Sequence, residues 1–297
     1  MNILITGARG QLGRELLDCF QSGRTALGTP TVLSEQNTVF GTDIDELDIA
    51  DMAALRRYAE DKRIDVIINC AAYTDVNGCE SHYETALRAN AYGPRNLAIL
   101  SREIGAKLLH VSTDYVFPGN GRTPYVEWDA PAPESAYGKS KLLGEDYVCR
   151  TAERYFILRT AWLYSKYGNN FVKTIMRIAK EKGECHVVSD QRGTPTNGAE
   201  LAHHILKLIT TEEYGIYHAT GNGECSWFDF AQSIVRLSGL DAKVFPCRSS
   251  EFPTPAKRPA YSVLDNLALR TTVGDDFRPW EEALSDFFGR FDPLSEA

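Results

Sequence analysis

Short apolar runs alternate with helical periodicities through the first 165 residues. Ile3–Ile5 reads as a strand, and Gln11–Gln21 as a helix with Leu12, Leu16, Leu17 and Phe20 on one face. Residues 22–37 are polar and carry Gly and Pro, the composition of a long loop. Further strands are predicted at Val39–Thr42, Asp65–Cys70, Leu108–Ser112 and Phe156–Thr160, with helices at Met52–Lys62, Tyr83–Ile104 and Tyr137–Thr151. The strands lack strict alternation, and helices separate them. That predicts a parallel sheet covered on both faces, joined by right-handed crossovers, with ligand outside the carboxyl ends of the strands.

Beyond Trp162 the pattern loosens. Helices are expected over 170–182, 198–211 and 227–238, a strand over 216–220, and an ordered Pro/Ser/Arg-rich loop over 245–262. Pro279–Phe291 reads as a last amphipathic helix. The expected fold class is α/β: a doubly wound parallel sheet with a smaller C-terminal α/β substrate domain. Residues 1–165, with 196–222 returning, would form the first domain, and 166–195 with 223–297 the second.

Composition narrows the partners. A chain of 297 residues, 43% apolar, can build one large domain or a large and a small one. The net charge of -8 is spread, with no basic stripe, so nucleic acid is not expected as a partner. A few local cations still leave anionic small molecules open. The seven cysteines are scattered, odd in number and without a CxxC pair, which favours free thiols in a reducing compartment. The first residues read as a strand rather than a signal segment, and no apolar stretch is long enough for a bilayer. A cytoplasmic protein with no membrane partner is expected.

The first strand runs into Gly7-Ala8-Arg9-Gly10-Gln11-Leu12-Gly13. Gly7 permits a tight turn, Gly10 lets a pyrophosphate approach the backbone, and Gly13 lets the helix pack on the sheet. The helix N-terminus then offers free N–H groups to phosphates. In this context the spacing is the dinucleotide-binding signature of a Rossmann-type sheet. Asp43, ending the second strand, suits ribose hydroxyls and NADH, whereas Arg9 suits a 2′-phosphate and NADPH. The choice between NADPH and NADH stays open, with dual use a reasonable hypothesis. Asp48 and Ile49 are candidates for the adenine, and Asp51 for a helix N-cap.

Tyr137 and Lys141 share a helix face one turn apart. A phenol titrates at about 10, and a nearby ammonium lowers that value. The pair could then exchange a proton with a carbonyl oxygen as a hydride moves. Thr113, at the carboxyl end of a strand, could hold that oxygen from the other side or cap a turn. Asn90 could support Lys141 through water or be purely structural.

These residues resemble the extended short-chain dehydrogenase/reductase family, and within it the dTDP-4-dehydrorhamnose reductases. The resemblance spans nearly the whole chain. It rests on the glycine turn, Asn69-Cys70-Ala71-Ala72-Tyr73-Thr74, Ser112-Thr113-Asp114-Tyr115-Val116-Phe117-Pro118-Gly119 and Tyr137-Gly138-Lys139-Ser140-Lys141-Leu142-Leu143-Gly144-Glu145. It continues through Arg159–Tyr164, Gly168–Phe171, Asp190-Gln191-Arg192-Gly193-Thr194-Pro195-Thr196 and Arg258-Pro259. It implies hydride transfer from NADPH or NADH to C4 of dTDP-4-dehydro-β-L-rhamnose, giving dTDP-L-rhamnose. Thr113, Tyr137 and Lys141 would be catalytic. Gly7, Arg9, Gly10, Gln11, Leu12, Gly13, Asp43, Asp48, Ile49, Ala71, Ala72, Tyr73, Tyr137 and Lys141 would meet the cofactor. Val76, Thr113, Asp114, Tyr115, Trp162, Asn170 and Arg258 would meet the nucleotide sugar, Arg258 through its planar guanidinium on the diphosphate.

The run Asp75-Val76-Asn77-Gly78-Cys79-Glu80 departs from the Ala-Val-Asp-Lys-Ala-Glu frequent in relatives. Some relatives dimerise around magnesium held by acids, so a homodimer is left open. Glu15 is a candidate ligand by position, yet reads more simply as a solvated helix-surface residue, and no metal is assigned. Two competing readings share the fold. A sugar-nucleotide epimerase or dehydratase would keep the Tyr/Lys pair, but a dehydratase expects Asp-Glu where this chain has Asp114-Tyr115. A non-catalytic regulatory subunit would not need Tyr137, Lys141 and Thr113 intact.

Overall fold

A computed structural model describes residues 1–290. Its centre is a six-stranded parallel sheet. The strands are β1 (Asn2–Thr6), β2 (Thr38–Thr42), β3 (Val66–Asn69), β4 (Lys107–Thr113), β5 (Tyr155–Thr160) and β7 (Gly215–His218), in the order β7-β5-β4-β3-β1-β2. The order reverses between β1 and β3, which leaves a crevice outside the carboxyl ends of these two strands, where ligands of such sheets bind.

Helices cover both faces. α1 (Gln11–Ser22) and α6 (Gly198–Leu208) pack on one, where Ile3, Ile5, Leu16, Leu158, Leu201 and Ile205 are fully buried. α2 (Met52–Ala59), α3 (Gly93–Ile104) and α4 (Ala136–Thr151) cover the other, with Leu4, Leu55, Ile67, Leu97 and Val148 at its centre. Each such Leu or Ile contributes about 1.5–3 kcal/mol through burial. Asp51 caps α2, its carboxylate accepting from Ala54 N–H at 3.0 Å, as its position predicts.

A separate apolar cluster lies among α5 (Phe171–Lys182), α7 (Trp227–Ser238) and α8 (Trp280–Arg290), around Val172, Ile175, Phe230, Ile234 and Leu284. It also holds β6 (Glu184–Val188), which pairs in parallel with β8 (Lys243–Cys247).

Several expectations change. The helix expected over Tyr83–Ile104 is broken: a short helix Tyr83–Leu87, a π-turn Arg88–Tyr92, then α3. The expected loop over 22–37 contains a 3-10 turn, Thr31–Ser34. The start of the 245–262 loop is strand β8, and β6 was not expected at all. The last helix ends at Arg290 in the described residues, so Phe291 and the rest of the segment to 297 lie outside them. Among the described residues, no helix is long and apolar enough to cross a membrane.

Candidate active site

The glycine turn has the expected geometry. Gly7 takes φ +67°, which favours glycine, and its backbone lies so close to Ala71 that a Cβ would sit 2.6 Å from Ala71 N. A Cβ on Gly13 would lie 2.3 Å from the Gly7 carbonyl oxygen. Gly10 caps α1 without a side-chain hydrogen bond, and the first turn carries no acid. The free N–H groups and dipole end therefore fit a pyrophosphate. Leu12 is buried in the core, so only its backbone is available. Gln11 Oε1 accepts from Asn170 Nδ2 at 3.1 Å, tying the turn to the segment after β5.

Arg9 and Asp43 are partners. Asp43 Oδ2 accepts the Arg9 backbone N–H at 3.0 Å and lies 3.9 Å from its Nε, while the exposed guanidinium also pairs with Asp45. Both groups thus sit at one place at the end of β2. Asp48 is spoken for: its carboxylate accepts from Arg88 at 2.6 Å and from Ala50 N–H at 2.8 Å. The Ile49 side chain is buried against Gly93, and its carbonyl accepts from Asn96 Nδ2 at 3.2 Å.

Asn69 and Asn90 shape the turn after β3. Asn69 Oδ1 accepts from Thr6 Oγ1 at 2.7 Å and Ala71 N–H at 3.1 Å. Asn90, in the π-turn, accepts the Tyr73 N–H at 2.8 Å and donates to Tyr73 O and Ser140 Oγ, both at 3.0 Å. Asn90 thus clamps Tyr73, the residue after Ala72, onto α4 directly; its bonds go to Ser140 and not to Lys141. Its carbonyl also lies against Gly144, where a Cβ would come within 2.1 Å.

α4 carries Tyr137 and Lys141 into the interior. Ser135 caps it through Gly138 N–H at 3.1 Å, and Glu80 reaches across to accept Ala136 N–H at 2.9 Å. The Tyr137 phenol is hydrogen-bonded to the Thr113 hydroxyl. Thr113 Oγ1 also bonds Asp114 Oδ1 at 2.9 Å and accepts Tyr115 N–H at 3.2 Å. Burial pushes the Tyr137 phenol above its ordinary value, with the Thr113 bond working the other way. The expected lowering by Lys141 does not appear: desolvation dominates, and the charges that act on the phenol, Asp114 first, also raise it. The phenol stays protonated at neutral pH, the form a proton donor requires. Burial also holds Lys141 down to about 8, against the opposing pull of Glu145. Lys141 Nζ donates to Val111 O at 2.7 Å.

The expected sugar-facing residues divide into two groups. Val76 and Tyr115 pack with Tyr137 and the buried Cys79, and the Tyr115 ring meets Tyr137 edge-on at 5.5 Å. Arg258 Nη1 donates to Tyr115 OH at 3.2 Å, beside a cavity of about 210 Å³ lined by Tyr115, Phe117, Asn120, Lys257 and Arg258. Asp114 lies beneath Thr113, 2% exposed, its carboxyl pushed up to about 6 by burial. It orients Thr113 and offers little surface to a ligand. Trp162 takes a left-handed φ of +46°, stacks on Trp227 at 3.5 Å and abuts Gly193, yet remains partly exposed. Asn170 caps α5, its Oδ1 accepting Lys173 N–H at 3.2 Å, because asparagine is a strong N-cap. In the departing loop, Asp75 accepts Gly78 N–H at 2.9 Å, and Gly78 leaves room for Tyr73 Oη, which a Cβ would approach to 2.6 Å.

Glu15 is not a solvated surface residue. It is 6% exposed and accepts from Ser165 Oγ at 2.5 Å. Among the described residues no group of three or more His, Cys, Asp or Glu is placed to hold a metal. All seven cysteines are free.

Known proteins are similar to this chain in sequence and in fold. The family described as RmlD substrate binding domain matches residues 1–292. A dTDP-4-dehydrorhamnose reductase from Clostridium acetobutylicum is 45% identical, with all of both chains covered and a TM-score of 0.92. The dTDP-4-dehydrorhamnose reductase of Bacillus anthracis, solved in complex with NADP, is 41% identical over 98% of this chain and 99% of its own, with a TM-score of 0.91. A dTDP-4-dehydrorhamnose reductase from Streptomyces griseus is 40% identical over 96% of this chain and 92% of its own. The chain belongs to the RmlD substrate binding domain family, within the dTDP-4-dehydrorhamnose reductases that its sequence resembles.

Proposed function

We propose that this protein uses NADPH or NADH to reduce the C4 keto group of dTDP-4-dehydro-β-L-rhamnose to dTDP-L-rhamnose. The observation that carries this reading is a buried phenol, Tyr137, kept protonated and bonded to Thr113 at the carboxyl end of β4. The glycine turn at the end of β1 supports the cofactor. When bound, a reduced nicotinamide supplies the hydride. Tyr137 Oη gives its proton to the oxygen at C4. Thr113 would orient that oxygen by turning its hydroxyl, donated to Asp114 in this structure, toward it when substrate binds. Lys141, one turn along α4 from Tyr137, carries the positive charge of the pair. Arg258, joined to Tyr115, suits the diphosphate. The segments 166–195 and 223–297 would form the sugar-nucleotide side, supported by their separate apolar cluster as far as it is described.

A dehydratase needs a base where Tyr115 stands. Here the Tyr115 phenol is raised by burial and bonded to Arg258, so it is no base at neutral pH. The test is direct: purified protein, dTDP-4-dehydrorhamnose and each cofactor, with the product identified by NMR. Stoichiometric cofactor oxidation with dTDP-L-rhamnose formation is expected. Turnover without net oxidation would instead mark an epimerase or dehydratase.

Two further outcomes follow from the geometry. Gly13→Ala is expected to weaken NADPH binding at least about tenfold, roughly 1.4 kcal/mol, because the new Cβ displaces the turn from α1. Fluorescence titration measures this, and an unchanged Kd would show that the turn does not hold the cofactor. The second concerns pH. Lys141 is charged below about 8 and neutral above it. Because kcat/KM reports the free enzyme, it should fall as pH rises through about 8. A flat profile from neutral pH well into the alkaline range would contradict a role for the ammonium.

A further inference from the structure

His110 lies in β4, fully buried, and takes no part in the proton transfer described above. Its neighbours fix its tautomer. Asn69 Oδ1 lies 3.1 Å from the Ala71 backbone N–H, which can only donate. The amide oxygen is thereby assigned, and Asn69 Nδ2 faces His110 Nδ1 at 2.9 Å. His110 Nδ1 must accept, so the proton of the neutral ring is on Nε2. The ring is neutral, because burial, with the neighbouring Lys141, holds its pKa well below the ordinary value. Nε2 lies 3.5 Å from Lys141 Nζ.

We propose that His110 is a positioning residue for Lys141: its Nε2–H is aimed at the lysine nitrogen and favours the neutral amine over the ammonium. An ammonium meets a donor there, N–H against N–H. A neutral amine accepts the same N–H with its lone pair. Its use in turnover rests on the reductase reading. Once Tyr137 has given its proton to the substrate oxygen, a relaying hydroxyl or water carries the replacement: an Nζ–H bond breaks, the relay takes that proton and passes its own on, and a phenolic O–H bond forms. The amine left on Lys141 is held by His110 Nε2–H, and Nζ regains a proton from solvent before the next cycle.

The other groups facing Nζ do not supply this bias. Glu145, one turn along α4, favours the ammonium, but its carboxylate is engaged by Arg159 at 2.7 Å. Cys70, just after β3, is a buried thiol raised well above its usual range. Asp114, Tyr115 and Cys79 act on Tyr137, and Glu80 is bonded to Ala136 N–H. Burial acts in the same direction as His110, holding Lys141 down to about 8.

Two substrate-free NMR measurements test the proposal. In 15N-histidine-labelled wild-type protein, His110 should show the neutral Nε2–H tautomer through the neutral range; an Nδ1–H tautomer would overturn the proposal. The second follows the Lys141 13Cε signal against pH, assigned by its loss in Lys141→Arg. His110→Asn keeps an acceptor for Asn69, removes the Nε2–H and leaves room for a water beside Nζ. The Lys141 midpoint should rise by at least about one unit in that variant, and the basic limb of kcat/KM should move with it. An unchanged midpoint in folded His110→Asn would overturn the proposal. The tautomer needs no variant, so the test survives if His110→Asn fails to fold. A protein that passes both NMR tests but reduces no sugar nucleotide would overturn the reductase reading alone.

Discussion

Tyr137→Phe is expected to lower kcat by roughly 10²–10⁴-fold while leaving the Kd for NADPH within about twofold. The variant removes one oxygen from a side chain that is 9% exposed. Its ring still packs against Tyr115, Val76 and Cys79, so the fold loses little. What disappears is the proton for the developing alkoxide. Thr113 cannot take over. Its hydroxyl is bonded to Asp114 at 2.9 Å, and an unperturbed alcohol is a far weaker acid than a phenol. The effect should therefore fall on kcat, with stopped-flow single turnover locating it in the chemical step. A kcat within about threefold of wild type would remove Tyr137 from its role.

The largest stability effect is expected at Arg159. Its guanidinium and the Glu145 carboxylate form a pair with side chains 3% exposed each. Nε lies 3.1 Å from Oε1, and Nη2 lies 2.7 Å from Oε2. Ser112 Oγ donates to the same carboxylate, and the guanidinium packs over Phe117 at 5.1 Å. Removing one partner leaves the other as an uncompensated buried charge, at a cost of about 3–5 kcal/mol. Arg159→Ala should therefore lower Tm by roughly 10 °C. The double variant Glu145→Leu with Arg159→Met should recover much of that loss, since it buries no lone charge. Thermal unfolding of the three proteins checks both statements. An Arg159→Ala variant within about 1 kcal/mol of wild type would mean that water reaches the pair. The pair joins α4 to β5 beside Ser112, one residue before Thr113, so it also supports the catalytic end of β4.

The parts of this molecule that obey local rules are legible along the chain. The glycine turn is read from three residues and a strand before them. Tyr137 and Lys141 are placed by helical spacing, and Asp51 by its capping chemistry. The parts that escape depend on long-range partners. β6 alternates exposed Glu184 and His186 with buried Cys185 and Val187, but over only five residues directly after a helix, and β8 contains Pro246, so neither stands out along the chain. They form because each pairs with the other, far apart in sequence. The π-turn at Arg88–Tyr92 is invisible in a helical periodicity, since it adds a residue without changing composition. His110 reads as a polar interruption of an apolar strand until Asn69 and Lys141 are brought beside it. Asn170 is expected from the resemblance as a ligand contact, and its capping of α5 becomes visible only in its backbone position at the start of that helix. Spacing alone points to a lowered Tyr137 pKa, because desolvation depends on burial, which spacing does not reveal.

The claim that most of this rests on is hydride delivery to C4 of a dTDP-linked 4-keto sugar by way of Tyr137. The most direct measurement uses NADPH deuterated at the nicotinamide C4, with dTDP-4-dehydrorhamnose as substrate, and reads the product by NMR. The expected result is one deuterium at C4 of dTDP-L-rhamnose for each cofactor oxidised, at a rate that collapses in Tyr137→Phe. Product without deuterium at C4, or cofactor left unoxidised while the sugar changes, would contradict it.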